Sequence, residues 1–338
     1  MTEGIILLSK PAGQTSFQSL GEVKRRLGTG RVGHAGTLDK FAEGLLVVLA
    51  GRMTRLSAFA TSMDKEYVAV VYFGRTTDTL DPEGRETGIG TVPSRAELEG
   101  ALINFRGTIL QTPPAYSAVH VDGKRAYKSA RAGEPLVIPS RRVTIDKLEL
   151  VDFTSPEATL RVSCSKGTYI RSLARDIAQS LGTCAFVTRL CRVRIGGFLL
   201  EMAKPPDLFN PQTDLLPPER FFEAAPGFGR LTVKESWVSR VGNGFPLEAE
   251  SFEIAPDEDG LFGAFSHAGR LLAVIEKLAG GWRYAASFPE IPTPPGTGMN
   301  AATPPGAEGS GRERPDECRH SARSGRERPD ECRQERPV

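Results

Sequence analysis

"ATLRVSCSKGTYIRSLARDIAQSLG", residues 158–182, reads as a strand, a tight Lys-Gly turn and a helix stopped at Gly182. The turn delivers Thr168, Tyr169 and Arg171 to the start of that helix. Amides at a helix start favour anions, and Arg171 falls in the first turn, where it is expected to face outward. The flanking segments repeat this mixture of strands and helices. "GIILLSK" (4–10) reads as a short strand. "TSFQSLGEVKRRLG" (15–28) reads as a helix with a Thr15/Gln18 capping box, Phe17, Leu20, Val23 and Leu27 near helical spacing, and a stop at Gly28. "EYVAVVYFG" (66–74) is a strand by its β-branched and aromatic content, and "SRAELEGALINFRG" (94–107) is a second helix capped by Ser94 with Glu97. Asp122-Gly123 suits a type I′ hairpin turn. "FVTRLCRVRI" (186–195) is a strand whose alternation predicts Leu190, Arg192 and Arg194 on one face. The predicted class is α+β: a mixed, mostly antiparallel sheet with flanking helices.

Composition sets the boundaries. The 338 residues exceed the usual limit of a single core. We expect a catalytic domain over 1–227, with a Pro- and Phe-rich linker at 205–227. A small β-rich domain holding both tryptophans follows over 228–288. Residues 289–338 carry nine Pro and six Gly, no aromatic residue, and the decamer "SGRERPDECR" twice, at 310–319 and 324–333. Such a segment has too little apolar surface to offset the entropy of folding and is expected to be disordered.

No apolar run approaches the roughly 18 residues that span a bilayer, and the N-terminus lacks the features of a signal peptide. The five cysteines show no C-x-x-C spacing and the four histidines are scattered. These features predict no metal site, and reduced thiols in a cytoplasm. The formal net charge is only +2, yet basic clusters recur at 24–26, 123–131, 141–142 and 189–194. Several basic clusters, two with a tyrosine nearby, suit a phosphate-rich partner.

"GHAGTLDKFAEG" (33–44) is too polar for a core strand and too glycine-rich for a stable helix. It carries His34 and Asp39. An arginine at position 171 could pair with Asp39 and hold it ionised. An aspartate with no metal, cysteine nucleophile or Ser–His pair beside it is a candidate covalent nucleophile.

"GHAGTLDKFAEGLL", "DKEYVAVVYFGRTTDTLDPEG", "QTPPAYSAVHVDGKRAYKSARAG" and "CSKGTYIRSLARDIAQSLG" occur in this order. They resemble the successive motifs of the TruB family of tRNA pseudouridine synthases, over residues 4 to about 198. The resemblance implies that Asp39 is the catalytic nucleophile and that His34 enters the RNA loop to fill the space of the extruded base. It implies that Tyr67 stacks on the target uracil and is a candidate base for the ring proton. Tyr169 and Arg171 would contact substrate and ion-pair with the nucleophile, and Leu190 would line the substrate pocket. Lys10 and Arg55 match basic or pocket-supporting positions. The segment at 228–288 resembles a PUA-like RNA-binding extension by position and size.

The implied activity is isomerisation of uridine 55 in the T loop of tRNA by a cytoplasmic monomer, without cofactor, membrane or guide RNA. Two rivals are a non-catalytic tRNA-binding or tRNA-folding protein and a guide-RNA-dependent synthase. Lys40 stands where the family usually has proline, "FAEG" replaces "LATG", and "RLCR" replaces a Leu followed by two Arg.

Overall fold

A computed structural model describes residues 3–289 apart from Asp122 and Pro135. The chain from Glu290 onward, with its duplicated decamer, lies outside the described residues. In order, the first half contains β1 (Gly4–Lys10), α1 (Ser16–Leu27), β2 (Val32–Ala35), β3 (Glu43–Ala50), α2 (Ser57–Ser62), β4 (Lys65–Phe73), β5 (Arg75–Thr77), β6 (Glu86–Ile89), α3 (Arg95–Leu102), β7 (Gly107–Gln111), β8 (His120–Val121), β9 (Lys124–Arg125) and α4 (Ala126–Arg131). Then follow β10 (Arg141–Thr154), β11 (Glu157–Cys164), α5 (Ile170–Ser180), β12 (Ala185–Ile195), β13 (Phe198–Leu199), α6 (Glu219–Ala224), β14 (Phe228–Thr232), α7 (Val238–Gly242), β15 (Gly260–Phe265), β16 (Leu271–Leu278) and β17 (Gly281–Ser287).

The large sheet runs β1-β3-β12-β4-β11-β10-β7, with β2 added to β3 and β13 to β12. Only the β3–β12 pair is parallel in it. β1 is apolar at consecutive positions because both of its faces are covered. Ile6 and Leu8 pack with Leu20, Val23 and Leu27 of α1. Ile5 and Leu7 pack on the opposite face in a core that also takes Phe265, Leu271 and Phe288. Alternation disappears when both faces of a strand are buried. The capping boxes predicted for α1 and α3 are present, and Gly28 ends α1 in the left-handed conformation at φ +62°. The second sheet runs β14-β15-β16-β17 and holds its own core around Val233, Phe252 and Ile275.

Three expectations fail for identifiable reasons. Phe17 is 72% exposed and belongs to no buried cluster, since the α1 stripe that meets the sheet begins at Leu20. Arg171 is buried at 3% exposure rather than facing outward, because the loop at 112–116 and the turn at 78–81 fold over the start of α5. Arg194 departs from the face of Leu190 and Arg192. A β-bulge at Val193 puts Arg192 opposite Tyr67 but Arg194 opposite Glu66, and adjacent residues of β4 point to opposite sides.

The strand pairing also shapes the site. One edge of β3 is shared: Val47–Ala50 pair with β2, whereas Glu43 and Gly44 pair with β12. The chain segment carrying Asp39 emerges where these two partners diverge. Arg192, 1% exposed, fills the break by donating from Nε to the Leu45 carbonyl at 2.8 Å and from Nη2 to the Gly36 carbonyl at 3.0 Å. Buried carbonyls that lose a strand partner need another donor, and this arginine supplies it. Gly44 has φ +107°, and a Cβ there would lie 2.4 Å from the Arg192 carbonyl oxygen, so only glycine permits the approach.

Candidate active site

The Asp39 segment is fixed from beneath. Ser16 Oγ accepts from the Leu38 amide at 2.9 Å and donates to the Leu38 carbonyl at 3.1 Å. The Gly13 amide donates to the Lys40 carbonyl at 2.8 Å. Lys10 is fully buried, and its ammonium donates to the carbonyls of Gln14 at 2.6 Å and Pro11 at 3.0 Å. Burial pushes Lys10 down to about 8, with the Asp39 charge opposing that fall. Lys10 therefore supports the loop from below and makes no part of the cleft wall. Arg55 is not brought to the site: it donates to the Ser287 carbonyl at the end of β17.

Above this support lies a cleft of about 1240 Å³. His34, Asp39, Tyr67, Tyr169, Arg171 and Leu190 all line it. Arg171 organises its floor. Its Nε lies 2.8 Å from Asp39 Oδ2, and its Nη1 lies 3.2 Å from Asp81 Oδ2. Nη1 also donates to the Thr79 carbonyl at 2.8 Å, and Nη2 to the Tyr116 carbonyl at 3.0 Å. The Nε–Asp39 contact is an ion pair out of line for a hydrogen bond, since Nε has no aligned acceptor. Asp39 thus has an adjacent positive charge while its side chain stays 37% exposed to the cleft.

Asp81 behaves differently. It is 5% exposed, and Oδ1 accepts from Thr79 Oγ1 at 2.6 Å and from the Glu83 amide at 3.0 Å. Burial raises its pKa against the pull of Thr79 and Arg171. One guanidinium therefore bridges an exposed carboxylate and a buried one. The buried member fixes the arginine, and the exposed member faces whatever enters.

The aromatic walls are set by strand and turn geometry. Tyr67 lies on β4 between Val162 of β11 and Arg192 of β12, and packs against the main core. Burial raises its phenol, and Arg192 beside it pulls the other way. Leu190, 6% exposed, is opposite Ala69 on the same sheet face. Tyr169 caps α5, and Gln111 clamps its backbone by accepting from the amide at 2.8 Å and donating to the carbonyl at 3.1 Å. The Arg141 guanidinium lies 4.9 Å over the Tyr169 ring centre.

Asp81, Arg192, Gln111 and Arg141 were not among the site residues expected from sequence. Asp81 had a signal, in the acidic, glycine-ended loop that follows β4. Arg192 was visible only as one member of a basic cluster.

His34 projects from β2, and its buried Nδ1 has no hydrogen-bond partner. Burial lowers its pKa below 6.5, with the nearby Arg192 charge adding to the effect. A depressed histidine pKa means that the unfolded chain binds more protons just below pH 6.5, so folded stability falls as pH falls through that range. His34→Gln should therefore match the wild-type pH dependence above pH 7 and lose less stability below 6.5. Melting curves from pH 5 to 8 check this, and parallel curves would exclude it.

Burial pushes the Cys164 thiol up to about 12 and also raises Cys184 and Cys191. Among the described residues no three His, Cys, Asp or Glu side chains converge as a metal site. No described helix is long and apolar enough to cross a membrane.

Residues 24–170 match the family model for the TruB family pseudouridylate synthase N-terminal domain. The chain is 49% identical over 253 residues to tRNA pseudouridine synthase B of Borreliella burgdorferi (strain ZS7), covering 74% of this chain and 88% of the relative. The chain belongs to the TruB family of pseudouridylate synthases. It is also 47% identical over 285 residues to tRNA pseudouridine synthase B of Borreliella afzelii (strain PKo), covering 82% and 96% of the two chains. A solved structure of a Cbf5-Nop10-Gar1 complex contains a chain that superposes with a TM-score of 0.65 at 24% identity, over 86% of this chain and 84% of that one. At that identity the likeness concerns the fold. In this TruB-family chain, Asp39 and Arg171 meet on the cleft floor, and Tyr67 stands in its wall.

Proposed function

We propose that this TruB-family chain isomerises uridine to pseudouridine at position 55 in the T loop of tRNA, with Asp39 as the nucleophile. The observation that carries the reading is the Asp39–Arg171–Asp81 cluster at the floor of a cleft walled by Tyr67, Tyr169 and Leu190. The curated relatives, named for tRNA, support the substrate class.

The target base must leave the stacked RNA loop at a cost of a few kcal/mol. Stacking on an aromatic side chain returns about 1–3 kcal/mol of it. Tyr67 offers the platform, Leu190 the apolar wall, and His34 fills the space that the extruded base leaves in the loop. In the isomerisation the C1′–N1 glycosidic bond breaks, the uracil turns, and C1′ bonds to C5. The C5 proton is lost and N1 gains one, so no atom is gained or lost overall. Asp39 provides the anionic oxygen for the step, from a position that Arg171 fixes. Burial raises the Tyr67 phenol, with Arg192 pulling the other way, and the ring's place in the cleft wall supports its stacking role.

Residues 1–227 would carry catalysis and 228–288 would add RNA contacts. The protein would work as a cytoplasmic monomer without guide RNA. Arg125 of β9, with Tyr127 and Arg131 on α4, lines the same cleft and suits phosphate contact.

One assay tests the reading: pseudouridine formation on a bare T-arm transcript with no guide RNA and no added protein. Conversion at the T-loop uridine is expected. Failure of the folded chain to convert it, with conversion restored by a guide RNA, would favour the guide-dependent reading.

A further inference from the structure

The cleft is larger than the about 300–1,000 Å³ of an ordinary ligand pocket, and its rim reaches the start of α1 at Thr15, Ser16 and Phe17. At that rim stands Phe17, a large aromatic side chain left 72% exposed by a helix whose other apolar residues are buried. It lines the cleft together with Thr15, Ser16 and His34. Lys24, two turns further along α1, places its ammonium 4.7 Å from the Phe17 ring centre. No described carboxylate pairs with Lys24. Arg25 and Arg26, by contrast, are both engaged by Glu22, and Arg26 also donates to the Phe209 carbonyl.

An exposed ring with a lone cation over its face is a poor structural device. It buries little area, and the solvated cation–π contact is worth little. It is a good receptor for one nucleotide. An aromatic face stacks on any base, and an adjacent lysine supplies charge for the phosphate of the same residue.

We infer that Phe17 and Lys24 form a second base-stacking subsite, which holds an unpaired nucleotide of the substrate RNA next to the flipped uridine. The base displaces the Lys24 ammonium from the ring face, and the ammonium turns to the backbone phosphate. The inference rests on the RNA-modifying reading above.

The test compares Phe17→Ala, Phe17→Leu and Phe17→Trp in the full chain, with a T-arm stem-loop RNA as probe. Phe17→Ala should raise Kd about 5- to 150-fold, in the range of base stacking, while its single-turnover rate at saturating RNA stays near wild type. Phe17→Leu should remain weak, and Phe17→Trp should restore binding. The added indole emission should be quenched on binding beyond any change that the wild-type chain, with Trp237 and Trp282 alone, shows in the same titration. Lys24→Ala should flatten the slope of log Kd against log salt by about 0.7–0.9, whereas Phe17→Ala should leave that slope alone.

Binding by Phe17→Ala within twofold of wild type, or full binding by Phe17→Leu, would overturn the subsite while leaving the enzyme reading intact. A wild-type chain that neither binds nor converts the RNA would overturn both.

Discussion

Asp39→Asn should lower turnover on T-arm RNA at least a hundredfold while the RNA Kd stays within a few-fold of wild type. A hundredfold loss corresponds to about 2.7 kcal/mol of transition-state stabilisation. The amide is isosteric but carries no charge and is a far weaker nucleophile. Binding should survive because it rests on many contacts spread along the cleft. The fold should survive too, since Asp39 is 37% exposed and Arg171 keeps Asp81 and two carbonyls as partners. Single-turnover rates, filter binding and a melting curve separate these effects. Turnover above a hundredth of wild type would remove Asp39 from the covalent step.

Arg171→Ala is the more disruptive change, because it should cost turnover and stability together. The guanidinium contacts Asp39, Asp81 and the carbonyls of Thr79 and Tyr116, so its loss unties two loops from α5. Asp81 would be left buried with hydrogen bonds but without its counter-charge. Removing one partner of a buried pair costs about 3–5 kcal/mol. At about 2–4 °C per kcal/mol for a body of this size, the melting midpoint should fall by roughly 10 °C. Arg171→Lys should fall between the two, since one ammonium cannot span two carboxylates and two carbonyls. A variant that melts like wild type and retains more than a third of its turnover would show that the bridge holds neither loop nor nucleophile.

The two substitutions act at different levels. Asp39 is part-exposed, so its replacement is expected to spare the fold and to act on the chemistry. Arg171 is buried and shared, so its effect passes through the loops it joins.

Much of this was legible in the chain itself. Residues 4–10, 66–74 and 186–195 announce strands by apolar and β-branched runs, and Thr15/Gln18 and Ser94/Glu97 announce helix starts. These signals are local: a capping box needs four residues, and a glycine stop needs one. The motif at 33–44 singled out Asp39, and the turn at 166–167 singled out Arg171.

What local pattern could not supply was which side of an element meets which neighbour. Phe17 has the spacing of a core residue, yet the helix rolls so that Leu20, Val23 and Leu27 meet the sheet instead. Arg194 has the spacing of Leu190, but one bulge reverses its face. Arg171 looked like a surface arginine because a helix start is usually solvated. Here two distant loops cover it and supply the acceptors that make burial tolerable. Asp81 and Arg192 gain meaning only through such long-range contacts: one lies 90 residues before its arginine, the other nearly 150 after the strand carbonyl it caps. The sequence by itself determined the main elements and singled out Asp39 as the candidate nucleophile. The tertiary structure alone decided how charges were paired and buried, because desolvation and ion pairing depend on neighbours in space rather than along the chain.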